Sequence, residues 1–71
     1  MEEKVIEILK QVLETDNISI SSNQDNTDNW DSMHQLMLAS ELEDAFDVSI
    51  EPEEIAEMTS VDGILKVLSS K

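Results

Sequence analysis

Apolar residues recur with a helical period in three stretches of the chain and lose that period between them. From Glu2 to Glu14, Val5, Leu9, Val12 and Leu13 form one stripe that Ile6 and Ile8 widen, which predicts an amphipathic first helix. Glu2 and Glu3 suit its positive end. From Ser32 to Phe46, Leu38, Leu42, Ala45 and Phe46 share a face, and Asp31 or Ser32 is placed to cap the start. Pro52, followed by Glu53 and Glu54, predicts a short helix reaching about Met58. Thr59 or Ser60 then caps a last helix with Val61, Ile64, Leu65 and Leu68 inside and Lys66 and Lys71 near its negative end.

Thr15 to Asp31 carries no such period. Ser21 to Asn29 is almost wholly polar and turn-forming, so this is a long loop, a kind uncommon unless functional or disordered. Ile18 and Ile20 are expected to pin it to the core, and Val48 and Ile50 to do the same between the second and third helices. The expected order is helix, long loop, helix, short helix, helix, in one domain spanning residues 1–71.

Composition narrows the function. One Gly, one Pro and two aromatics, Trp30 and Phe46, favour helices over a turn-rich sandwich. A net charge of -13 also occurs in disordered chains, but the periodic apolar residues favour a fold. The same charge excludes nucleic-acid backbones and anionic membrane surfaces as ligands, which need clustered cations. It points to protein partners with basic surfaces. Without cysteine there is no disulfide and no thiolate metal site. No signal-peptide pattern and no long apolar run is present, so a cytoplasmic monomer is expected.

Catalytic chemistry is poorly supplied. The chain has one His and no Cys, Tyr or Arg. Asp31, Ser32 and His34 resemble a triad on paper. Residues two apart on a helix do not face each other, however, and no second wall for a pocket is evident. Asn23, Asp25, Thr27 and Asn29 alternate like calcium ligands, but Asp28 stands where the EF-hand needs Gly and His34 where it needs Glu. Neither an enzyme nor a metal site is expected.

The second helix holds the informative anomaly. Met33, Leu36 and Met37 lie opposite the Leu38, Leu42 and Phe46 face, so the helix starts apolar all round. Either the long loop covers that side, with Trp30 or Ile20 meeting Leu36, or it is a patch for a partner, the reading favoured for Met33 and Met37. Asp31, Glu41, Glu43, Asp44 and Asp47 surround the patch. Ser32 is a cap or, following a long acidic loop, a candidate for modification.

Asp31-Ser32-Met33 resembles the Asp-Ser-Leu signature of acyl and peptidyl carrier proteins. The stretch from Asp31 to Ile50 is similar to that family's second helix and following loop, and Glu51 to Val61 to its third helix and the start of its fourth. The resemblance covers nearly the whole chain and is generic in the first helix. It implies an all-α, acyl-carrier-like four-helix bundle with three longer helices and one short one. It implies that a phosphopantetheinyl transferase joins 4'-phosphopantetheine to Ser32, beside Asp31, and that the arm's thiol carries acyl groups as thioesters. A chain without cysteine must import such a thiol.

Further implications concern partners and cargo. The expected partners are acyl-loading, condensing or transferring enzymes with basic surfaces. They would meet Met33, Met37, Glu43, Asp44 and Asp47. The bundle would open between helices to shelter longer acyl chains. Asp28-Asn29-Trp30 replaces the Leu-Gly-Ala usual in housekeeping fatty-acid carriers, and His34 and Met37 replace acidic residues. The Trp-Asp-Ser-Met-x-His form is more similar to stand-alone carriers of dedicated pathways, including polyketide-type ones. D-alanyl and aminoacyl carriers also use Asp-Ser-Met. An acidic helical adaptor without a prosthetic group is the alternative of a different class.

Overall fold

The apolar stripes converge on a single core. The computed structural model describes all residues, Met1–Lys71, as four helices: α1 (Glu2–Leu13), α2 (Ser32–Phe46), α3 (Pro52–Glu57) and α4 (Val61–Ser69). Val5, Leu9 and Leu13 of α1 meet Leu38 and Leu42 of α2 and Val61 and Ile64 of α4, all fully excluded from solvent. Helix α3 is different, because none of its six residues is buried. Met58, which follows it, is the residue that plugs the core there.

Helix ends follow from local chemistry. Glu14 and Asp47 close α1 and α2 in the left-handed conformation, at φ 54° and 53°. Asp31, not Ser32, caps α2, accepting from the His34 N–H at 2.9 Å. Ser60, not Thr59, caps α4, accepting from the Gly63 N–H at 2.9 Å. Glycine is required at 63 by proximity: a Cβ there would lie 2.6 Å from the Glu57 carbonyl oxygen.

The long loop is tied down by polar groups more than by apolar ones. Ile18 is buried as expected, but Ile20 is 49% exposed and pins nothing. Its place is taken by Ser22, buried at 7%, whose hydroxyl accepts from the Ser19 N–H and whose carbonyl accepts from the Val61 N–H. The Gln24 N–H donates to the Thr59 carbonyl, and the Asn29 amide donates to the Leu13 carbonyl at the open end of α1. These bonds hold the loop across the α3–α4 junction and deliver Trp30 to the start of α2.

Candidate functional site

Ser32 occupies the first turn of α2, immediately after the cap. It is exposed, and its hydroxyl makes no hydrogen bond within the protein, so it does not serve as a cap. The N–H groups of Ser32 and Met33 also lack acceptors, as the first N–H groups of a helix must. A 15-residue helix therefore presents a free hydroxyl beside two free N–H groups at its positive end. That chemistry suits a phosphoryl group joined to the hydroxyl.

The Asp31 carboxylate turns away from Ser32 toward His34. It accepts from the His34 backbone at 2.9 Å and pairs with His34 Nδ1 at 2.8 Å. These two bonds, the backbone one first, hold the Asp31 carboxyl below the usual carboxylate range. No bond joins His34 to Ser32, so the triad arrangement is not assembled and Ser32 has no base. What aligns with Asp31 is the residue three positions on, as helix geometry requires.

Beside Ser32 runs a shallow cleft of about 350 Å³, walled by Ser32, Gln35 and Leu36 of α2, Pro52, Ile55 and Ala56 of α3, and Gln24 and Thr59. A second wall absent from the sequence-based expectation is thus supplied by α3 and the loop. A larger groove of about 530 Å³ lies between α1 and α2, lined by Val12, Glu14, Met37 and Glu41 among others. It does not touch Ser32.

The patch on α2 is uncovered. Met33, Leu36 and Met37 are 69%, 62% and 48% exposed, and the loop does not fold over them. Trp30, a candidate cover for Leu36, is instead buried and donates its indole N–H to Gln35. Asp44 and Asp47 are exposed, at the far end of the helix. Glu43 is half-buried and its carboxylate accepts from the Ile50 N–H at 2.8 Å, so it shapes the α2–α3 loop whatever else it meets.

Gln35 is the residue that sequence reasoning passed over. A lone glutamine between His34 and Leu36 carries no periodic signal. The only hint was that it stands three residues before Leu38 on the inner side of α2. No group of acidic or histidine side chains is arranged to hold a metal ion.

Comparison with known proteins places this geometry. The family model described as the phosphopantetheine attachment site matches residues 3–68. No curated protein sequence matches the chain significantly. Among solved structures, a chain provisionally assigned as an acyl carrier protein from Mycobacterium tuberculosis superposes with a TM-score of 0.85 at 24% identity, over 97% of this chain and 95% of that one. At that identity the likeness concerns the fold.

Proposed function

This chain belongs to the phosphopantetheine-attachment family, that of the acyl carrier proteins, and we propose that Ser32 is the residue to which its 4'-phosphopantetheine is joined. The family carries acyl groups and is in general not catalytic. Its prosthetic group supplies a thiol that holds the cargo as a thioester, and this chain has no cysteine to provide one. The observation that supports Ser32 is its free, exposed hydroxyl at the unpaired N–H end of α2. Those N–H groups would orient the phosphodiester.

The partners in this reading are a phosphopantetheinyl transferase and enzymes that load, condense or transfer acyl groups. They would dock through basic surfaces on α2, with Met33 and Met37 as apolar contacts and Asp44 and Asp47 as charged ones. Glu43 can join them only while holding the Ile50 N–H. No helix is long and apolar enough to cross a membrane.

The test is labelling. Incubated with coenzyme A and a broad-specificity transferase, the protein gains the mass of one phosphopantetheine, and Ser32→Ala gains none. In the same assay Asp44→Lys slows labelling and Glu57→Lys, off the α2 surface, does not. An unlabelled wild-type protein ends the proposal; equal rates for the two lysine variants remove α2 from recognition.

A further inference from the structure

The family resemblance leads one to expect a bundle that opens between helices to shelter a long acyl chain. The residues at the α2–α3 seam of this chain argue otherwise. Leu36 and Ile55 line the cleft beside Ser32, and the buried side chain of Gln35 lies between that cleft and the core. Its Oε1 accepts from the Trp30 indole at 2.6 Å, and its Nε2 donates to the carbonyls of Ile55 and Met58, each at 2.6 Å. Gln35 is 8% exposed, Trp30 4%, and Met58 fully buried. Both amide protons of Gln35 are spent, and no buried side-chain nitrogen or oxygen in the protein lacks a partner. Drawing an alkyl chain inward here would strand an indole N–H, an amide and two carbonyls in apolar surroundings, the arrangement that buried polar networks penalise most.

Neither open space in the molecule offers another route. The α1–α2 groove does not border Ser32, and the cleft that does is bounded below by the Gln35 network. Two other polar side chains on the cleft wall, by contrast, are free: neither the Gln24 amide nor the Thr59 hydroxyl has a hydrogen-bond partner in the protein, although the Gln24 N–H is held by the Thr59 carbonyl. We propose that this carrier keeps its cargo outside the helical core, and that the cargo is a short acyl group with hydrogen-bonding substituents, recognised at the cleft by Gln24 and Thr59, not a long alkyl chain. The proposal rests on attachment at Ser32 and says which class of thioester that arm carries.

The experiment loads the full chain with butyryl-, 3-hydroxybutyryl- and octanoyl-phosphopantetheine from the corresponding coenzyme A thioesters. Thioester hydrolysis is then followed against free acyl-pantetheine. The octanoyl form is expected to hydrolyse as fast as its free counterpart and to show no nuclear Overhauser contact with Leu38 or Met58 methyls. The 3-hydroxybutyryl form alone should shift the Gln24 and Thr59 side-chain resonances. Octanoyl hydrolysis slowed about tenfold or more, the mark of roughly 1.4 kcal/mol of shelter, with contacts to Leu38, overturns the proposal. Unmoved Gln24 and Thr59 signals overturn its second half. Gln35→Ala should convert the protein into one that does shelter octanoyl. Should that variant fail to fold, the wild-type series still decides. Absence of any adduct on Ser32 brings down the attachment reading and this one together, whereas an adduct with sheltered octanoyl brings down this one alone.

Discussion

Helices α1 and α3 are the same chain solving one problem in two ways. Helix α1 is held by side chains: Val5, Leu9 and Leu13 are fully buried, and the attraction is non-directional. Helix α3 buries none of its six residues fully: Ile55 packs partly against the core, and directional bonds supply the rest of the hold. These bonds are Gln35 to the Ile55 and Met58 carbonyls, the Glu51 N–H to the Glu54 carboxylate, and Lys71 Nζ to the same carboxylate at 2.6 Å. The apolar side of the bundle therefore depends on packing, and the side beside Ser32 depends on groups that must find one geometry. Low local stability has physical signs, and α3 carries them: no fully buried residue and exposed polar bonds.

That contrast can be broken from the apolar side first. Leu38→Ala empties a fully buried position that α1 packs against and should cost about 2–5 kcal/mol, lowering the melting temperature of the whole bundle. A loss confined to α3 in hydrogen exchange would contradict a shared core. A smaller effect is expected from Gln35→Ala, about 1–3 kcal/mol, because it orphans the Trp30 indole and two carbonyls while sparing the apolar stripes. Its exchange protection should fall at Met58 and in α3 more than at Leu9. Uniform loss would mean that α3 is not separately held.

The mildest probe is acid. Glu54 is held below its ordinary value first by the Glu51 backbone N–H and then by Lys71, and Asp31 is held below its own by His34. A carboxyl with a depressed folded pKa stabilises the fold above its unfolded pKa. That contribution fades as pH falls through the folded value. Below about pH 4.5 the amides of α3 and the first turn of α2 should therefore loosen before those of α1. Asp31 is exposed and Glu54 half-buried at the surface, so the effect is small. Simultaneous loosening of α1 and α3 would show that these pairs do not matter locally.

The helices and the exposed serine at the start of α2 were legible in the residues. Stripe spacing located α2 to the residue and placed the ends of α1 and α3 within one; for α4 it gave the inner face and a start after Thr59 or Ser60. Asp31-Ser32 alone is an ordinary helix start; it is the resemblance of Asp31-Ser32-Met33 to a carrier signature that singles out Ser32, the attachment point proposed here. Exposure of Met33, Leu36 and Met37 was one of two readings left open, and the fold chose it by turning Trp30 inward to Gln35. Ile20 was misjudged for a related reason: alternation with polar neighbours says only that a side chain may be buried, and Ser22 took the buried place.

What the sequence determined by itself has a short range or none: helical period, net charge, the lack of an internal thiol, and each cap to within two neighbouring residues. The tertiary structure alone decided what depends on distant partners. The Gln35 amide is satisfied by carbonyls 20 and 23 positions away, and Ser22 meets the start of α4 across the bundle. A periodicity reports which side of a helix is apolar. It does not report which backbone carbonyl, brought near by folding, will claim a buried amide, and at the α2–α3 seam that amide controls access to the core.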